Sequence, residues 1–472
     1  MPSVLETHPN GHPTHGDGGR DEAPRAGVVG AGIAGLCAAI ALRRAGWRVE
    51  VYERSRFKNE IGAAITVSSN ATAVLDHWGF DFAKAAPVPN QSTRLVSAKD
   101  LSTVMLEEYA DIAEQYGHAC WSFHRVDLHQ GLRDLATDPV EDKGRGWPVE
   151  IRLGCEVVGA DCDDGIVKLA DGRAVAKDLV IIADGVHSHL IEDFTGRQSK
   201  LVPTGRSIYR WLVQMEDGLA HPAVRELYEN TLPGFLTISD GTGLYLINYT
   251  CRGGKILNNA IVHPTDSADV EVNAWHSPVS RDEVLTKIAH FHPSAKSIVE
   301  MASEDGIKVH HLYTRAPLPS FVRGRTIIIG DAAHAMIPSH AAGAAMAIES
   351  AASLEVLFRG IHGETGAGVV ADADDKNRVL FQDRLRLFDK LRIPRCNLAM
   401  LASNSANLWL SKPGLEEEIR RFYAGPIPSR HARPWGPEFR ELFIHHDEYA
   451  AAEAVLKDPG ANPNCYAGMQ PQ

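Results

Sequence analysis

Three glycines, Gly30, Gly32 and Gly35, stand in AGVVGAGIAGLCAAIALRRAGWRVEVYE, after a short apolar run and before a stretch of small and aliphatic residues. That spacing suits a diphosphate. The first glycine permits a tight turn and the second lets a pyrophosphate approach the backbone. The third lets helix and strand pack closely, while the helix N-terminus favours the phosphate charge. Glu53 closes the next apolar run, where an acid takes the ribose hydroxyls of an adenosine. The chemistry is dinucleotide binding; a Gly-rich turn without a ligand is the competing reading.

Two more apolar runs end in an aspartate beside a glycine: KDLVIIADG at Asp184–Gly185 and GRTIIIGD at Gly330–Asp331. The second continues as AAHAMIPSHAAGAAMAIESAASL. Pro338 breaks this chain into a turn, and a helix starts near Gly343–Ala344. Small residues let that backbone come close to something flat, with N–H groups aimed at its negative edge. Tight helix packing alone would explain the alanines but not Asp331 or Pro338.

The elements that must hold these residues read as follows. A strand ending at Val29, a helix to about Ala45 and a strand Val49–Tyr52 form one βαβ unit. Short strands with DDG and DG turns fill 149–175 as a meander. From about 200 to 315 the segments RSIYRWLVQM, GFLTIS, GLYLINYT and NNAIVH read as strands, with one helix at 280–291. The run at 324–331 returns to the first lobe, and helices dominate from 342 to 411. GETGAG at 363–368 follows a helix and reads as a loop. The expected division is a disordered leader (1–25), a first lobe (26–200), a sheet lobe (201–320), a return with helices (321–411) and a Pro-rich C-terminal extension (412–472) with a short helix at 447–457.

Bulk properties exclude several classes. The 472 residues suffice for two lobes, and a net charge of −12 argues against nucleic acid or an anionic membrane. No run of 18 apolar residues spans a membrane. The seven cysteines form no CxxC pair, which fits unpaired thiols in a reducing, cytoplasmic setting. His187, His189, His310, His311, His445 and His446 lie in no HExxH or CxxC pattern, so no metal is expected.

The three motifs, in this order and spacing over about 25–410, resemble the single-component FAD-dependent aromatic hydroxylases, the group A flavoprotein monooxygenases of salicylate- and para-hydroxybenzoate-hydroxylase type. IGAAI at 61–65, HRVDLHQGL at 124–132 and LRIPRCNLAMLASNSANLWL at 391–410 match further family stretches. The resemblance implies an α/β fold: a Rossmann-like FAD-binding lobe assembled from three visits of the chain, a β-sheet substrate lobe and C-terminal helices. It implies FAD, with NAD(P)H as electron donor and O2 as oxidant. A C4a-hydroperoxyflavin would hydroxylate or epoxidise a phenolic or indole-like aromatic molecule, in the manner of the fungal secondary-metabolite branch.

Residue by residue, the resemblance assigns Glu53 to the adenosine ribose and Ala63 and Ala64 to backbone contacts with the cofactor. Arg125 would reach the pyrophosphate or ribityl chain, and Asp331 a ribityl hydroxyl. Asp184–Gly185 would help place both FAD and the nicotinamide donor. Arg210, on the first strand after that motif, would face the flavin ring and pair with a phenolate, carboxylate or developing alkoxide. It shares a face with Ile208 and Leu212; an edge-strand arginine reaching solvent is the competing reading. Tyr249 would line the pocket, as substrate donor or as core aromatic, with Tyr245 and Tyr209 as weaker candidates.

Two departures stand out. Ala341-Ala342-Gly343-Ala344 replaces the paired glycines that often follow the family's proline, and GVHSHLIEDF lacks an arginine the family carries shortly after Asp184–Gly185. The choice between NADH and NADPH therefore stays open, as does the oligomeric state. A flavin reductase, a halogenase or a catalytically idle redox sensor on the same fold are the alternatives. Against the halogenase, the eight tryptophans include no WxW pair.

Overall fold

A computed structural model describes residues 23–57, 63–139, 146–229, 231–265, 277–361, 375–405 and 412–461. Most of the leader, the GETGAG segment and the end of the 391–410 stretch lie outside them.

The first lobe is built on a six-stranded sheet. Its order is Val322–Arg323, Thr326–Ile328, Leu179–Ile182, Arg25–Val29, Arg48–Glu53, Glu150–Leu153. All neighbours are parallel except the first pair, a hairpin. Leu179–Ile182 and Thr326–Ile328 are buried at every position, as expected of parallel strands covered on both faces. The helices Ile33–Arg44 and Gly343–Leu357 pack against each other in this lobe. Glu150–Leu153 joins the parallel sheet, and the expected meander is confined to Val157–Asp161, Ile166–Leu169 and Ala174–Ala176.

The second lobe is an eight-stranded sheet. Its centre is the long strand Val202–Gln214, paired antiparallel with Ile256–Pro264 on one side and Lys308–Thr314 on the other. Tyr245–Cys251 and Gly234–Ser239 follow. Ser92–Ser97 and Thr103–Glu108 then end the sheet on this side, and the short strand Ser277–Pro278 ends it beyond Lys308–Thr314. Ser92–Ser97 and Thr103–Glu108 precede residue 201, so the sheet lobe draws on chain that the expected boundary gave to the first lobe. Thr103–Glu108 is an edge strand with no fully buried residue, so it lacks the apolar signature of the interior strands.

Alternation along Val202–Gln214 separates two environments. Tyr209, Trp211 and Val213 join a core with Phe291, Ile298 and other helix residues. Ile208, Arg210 and Leu212 point the other way, where Leu212 and Tyr249 pack with Ala64 of the first lobe. Arg210 lies between Ala260 and Lys308 in the ladder. It is therefore on an interior strand, which overturns the edge-strand reading.

A buried ionic cluster ties the C-terminal extension to the first lobe. Arg392 donates to Glu349 at 2.9 Å and also to Glu448, and Arg395 grips Glu349 through two bonds of 2.7 Å. Arg392 and Glu349 are fully buried. Burial pushes the Glu349 carboxyl up, but Arg395, His446 and Arg392 together hold it below the usual carboxylate range. Glu349, His446 and Glu448 lie close enough to share a ligand, but the two guanidinium groups occupy the role a cation would take.

Candidate cofactor and substrate site

The carboxyl ends of four adjacent parallel strands carry the residues singled out above. Going across the sheet these are Gly330–Asp331, Asp184–Gly185, the glycine loop and Glu53. Such an edge is where open α/β sheets bind ligands.

The three glycines differ in what constrains them. Gly30 has φ +98°, and a methyl group there would lie 2.5 Å from the Ala183 carbonyl oxygen. At Gly35 it would lie 1.9 Å from the Gly30 carbonyl oxygen. At Gly32 it would meet nothing within 4 Å. Protein packing explains the first and third glycines, whereas Gly32 faces open space. Glu53 accepts from the Ala31 N–H at 2.8 Å and the Ser55 N–H at 2.6 Å, so it braces the loop and keeps lone pairs for hydroxyl groups. His129 is buried with Nε2 2.7 Å from the Ala31 carbonyl oxygen. Nothing in the pattern of HRVDLHQGL marks this second brace.

Asp184 accepts from the His189 N–H at 3.2 Å through one oxygen. Its other oxygen is buried with no partner among the described residues, and burial raises the carboxyl above its ordinary range. An arginine from elsewhere in the chain reaches this turn. Arg315 donates to the Val186 carbonyl at 3.1 Å and the Ser199 carbonyl at 2.7 Å, and its charge acts on Asp184. His187 is held below its ordinary range by burial and by Arg54, His189 and Arg315.

Asp331 follows Gly330, whose φ is +63°. Water reaches Asp331, yet surrounding protein is dense enough that burial raises its carboxyl, opposed by His334 and Arg125. The two observations together describe a recess. His334 is fully buried, neither ring nitrogen has a partner among the described residues, and burial pushes its pKa down to about 4. The turn Pro338–His340 follows, then Ala341 at φ +51°, then the helix Gly343–Leu357. Ala341 thus carries a left-handed conformation for which glycine is suited. Gly343 and Ala344 are only half-buried while Ala345 onward is buried, so the first helical turn opens onto the recess. A methyl group at Gly343 would lie 4.0 Å from Asp331 Oδ1.

Arg125, Arg210 and Tyr249 converge here. The Arg125 N–H donates to the Ala63 carbonyl at 2.8 Å, and the Arg125 charge acts on both Asp331 and Arg210. Arg210 has a buried Nε with no partner among the described residues. Burial lowers its guanidinium pKa, Tyr249 raises it and Arg125 lowers it again. The Tyr249 hydroxyl donates to the Ala64 carbonyl at 3.0 Å, and burial pushes its phenol up to about 12. Its single proton is therefore engaged, and toward a substrate it acts as an acceptor.

Two expectations are corrected. The Ala64 N–H donates to Asn258 Oδ1 at 2.9 Å and its carbonyl takes Tyr249. Both backbone groups of Ala64 serve the junction between the lobes instead of a cofactor. Tyr209 lies on the far face, stacks on His263 and donates to Glu283 at 2.9 Å, so it leaves the site. Tyr245 stays on the site face, 5.9 Å from the Arg206 guanidinium.

The residues fit FAD. An open Gly32, an orphaned Asp184 oxygen, a recessed Asp331 and an unpartnered Arg210 Nε are the gaps a long dinucleotide and its substrate would fill. Comparison with known proteins agrees. The FAD binding domain family matches residues 24–380. The chain is 31% identical over 438 residues to the FAD-dependent monooxygenase cfoG of Aspergillus candidus, covering 91% of this chain and 94% of that one. It is 33% identical over 342 residues to hispidin-3-hydroxylase of Neonothopanus nambi, covering 70% and 79%. A salicylate hydroxylase substrate complex superposes with a TM-score of 0.66 at 23% identity, covering 93% of this chain and 99% of that chain.

Proposed function

The chain belongs to the FAD-dependent flavoprotein monooxygenases, and we propose that it hydroxylates or epoxidises a phenolic or indole-like molecule with NAD(P)H and O2. The observation that carries the substrate class is Arg210. A guanidinium with an unsatisfied, buried nitrogen on an interior strand needs an anionic or strongly accepting partner. A phenolate, or a phenol losing its proton, supplies one.

FAD, when bound, supplies hydride acceptance from the donor and activation of O2. The chain's own residues bind and orient. Glu53 takes the adenosine ribose, and Gly32 leaves room for the diphosphate. Arg125 counters the phosphate or ribityl oxygens, and Asp331 accepts from a ribityl hydroxyl. The N–H groups at Gly343–Ala344 would favour negative charge on a bound flavin. Arg210 holds the substrate oxygen, and its positive charge favours the phenolate form, whose ring is the more electron-rich. Tyr249 fixes the wall beside it.

Arg54, His187, His189 and Arg315 gather at the Asp184–Gly185 turn. The two guanidinium groups among them support approach of the donor's phosphates there, while His187, held below its ordinary range, adds no charge near neutrality. Six described cysteines are free, and among the described residues no helix is long and apolar enough to cross a membrane. The free thiols fit a reducing, cytoplasmic setting.

The test is a panel of phenols and indoles incubated with FAD-loaded protein, NADH or NADPH, and O2. Oxygenated product with substrate-stimulated donor oxidation is expected. Donor oxidation that yields only hydrogen peroxide across the whole panel would sink the reading.

A further inference from the structure

Trp435 lies in the C-terminal extension, beyond the segment matched by the FAD binding domain family. Its backbone has φ +62°, and its ring is buried. A bulky residue in the left-handed region is costly and persists only where its surroundings over-determine it.

The surroundings are aromatic. The Trp435 ring lies 5.4 Å from Phe235, 5.7 Å and stacked on Tyr109, and 5.7 Å from Phe439. Phe235 in turn meets Tyr249 edge-to-face at 5.0 Å. On the other side, Phe439 stacks on His340 at 5.2 Å, in the turn that leads into the helix Gly343–Leu357. The segment therefore bridges from the sheet lobe to the first lobe along one side of the site. The seam between His340 and Ala432, Arg433, Pro434 and Phe439 is too narrow for a water molecule.

Polar contacts pin this strap at both ends. Arg433 pairs with Glu107 at 2.9 Å on the sheet. Arg440 donates to the Trp435 carbonyl at 3.2 Å and lies over the Tyr109 ring. Arg395 donates to the carbonyls of Leu442 and Phe443 at 3.0 and 3.2 Å. Cross-links of this kind hold a wall in place and exclude water from what lies behind it.

We propose that Trp435 is a specificity-determining residue: held by the strap 432–443, it backs Phe235 and Tyr249 and sets how large an arene the chamber beside Arg210 accepts. This rests on the reading that the Arg210–Tyr249 face is the substrate wall. The indole fills the space directly behind Phe235, whose ring in turn meets Tyr249. Its removal lets Phe235 retreat and lengthens the space available to a ring.

The experiment titrates FAD-loaded wild type, Trp435→Ala and Trp435→Gly with phenol, 2-naphthol and 4-phenylphenol, read by the flavin difference spectrum. Trp435→Gly removes the left-handed strain together with the ring, so it keeps the test open if the alanine variant folds poorly. Relative to phenol, 4-phenylphenol should gain about tenfold or more in affinity in the variants, with flavin content unchanged. An identical size order in wild type and both variants, or no binding in any of them, overturns the proposal. Turnover is measured in parallel. A widened size order without product retains the wall and sinks the hydroxylase reading; product with an unchanged order does the reverse.

Discussion

The phenol of Tyr249 donates to the carbonyl oxygen of Ala64 at 3.0 Å, and this bond joins the sheet lobe to the first lobe at the site. Beside it, Asn258 accepts the Ala64 N–H at 2.9 Å. Tyr249→Phe keeps the ring on Phe235 and deletes the bond. We expect a stability loss of about 1 kcal/mol and a fall of a few-fold in turnover. Thermal unfolding and steady-state rates check it. Complete loss of activity with stability intact would give the hydroxyl a direct chemical role instead.

Arg210→Ala should leave flavin content near wild type and lower kcat/KM for a phenolic substrate by about 10- to 100-fold, the worth of one charged hydrogen bond. Arg210→Lys recovers only part, because a point charge replaces a planar fork. Unchanged kcat/KM in the alanine variant would remove Arg210 from the site.

The glycine loop offers a contrast between two positions three residues apart. Gly35→Ala places a methyl group 1.9 Å from the Gly30 carbonyl oxygen and should prevent stable folding of the first lobe. Gly32→Ala meets open space, so the apoprotein should melt as wild type does while flavin retention drops sharply. Flavin-to-protein ratios after gel filtration, with apoprotein melting curves, separate the two. Full flavin retention in Gly32→Ala would mean that the diphosphate lies elsewhere.

Ala341→Gly should stabilise the protein. The alanine sits at φ +51°, a conformation that costs an L-residue with a side chain about 1–2 kcal/mol and glycine little. The gain is offset in part by the greater freedom of glycine in the unfolded chain. A net rise in melting temperature is the expected result, and a fall would show that the Ala341 methyl group makes contacts outweighing the strain.

Acid should weaken the fold through buried imidazoles. Burial pushes His340 down to about 4, against about 6.5 in the unfolded chain. The unfolded state binds the proton first, so stability is complete above the unfolded value and falls as pH drops from about 6.5 to about 4. The full effect is about 3 kcal/mol. Asp184 and Asp331, raised by burial, act in the opposite sense. His340→Phe, which preserves a ring on Phe439, isolates the imidazole. Denaturant unfolding between pH 7 and 4 should show a shallower loss in the variant, and an equal slope would refute the assignment.

Local features were legible in the sequence and cross-lobe features were not. Glu53, Asp184 and Asp331 announce themselves at the ends of apolar strands, and Gly30, Gly32 and Gly35 by their spacing in the turn from strand to helix; both are short-range patterns. The family resemblance picks out Arg210, and strand alternation places it on the face of Ile208 and Leu212. The engagement of Ala64 with Tyr249 and Asn258 depends on the register of strands distant in sequence, which one chain does not reveal. Thr103–Glu108 escaped because an edge strand with no fully buried residue lacks apolar alternation. The placement of Trp435 had no local signal either, since two of its three aromatic neighbours, Tyr109 and Phe235, come from strands and loops distant in sequence.

The ionic cluster around Arg392 bears on how the protein is made. The sheet that begins at Arg25 is closed by a helix whose Glu349 answers to Arg392 and Arg395, and Arg392 answers in turn to Glu448. A buried guanidinium short of a carboxylate is strongly destabilising. During synthesis the first lobe therefore has no complete interior until the helix Glu448–Lys457 has left the ribosome. A chain stopped before that helix carries every cofactor motif and still lacks the partner that lets the lobe close.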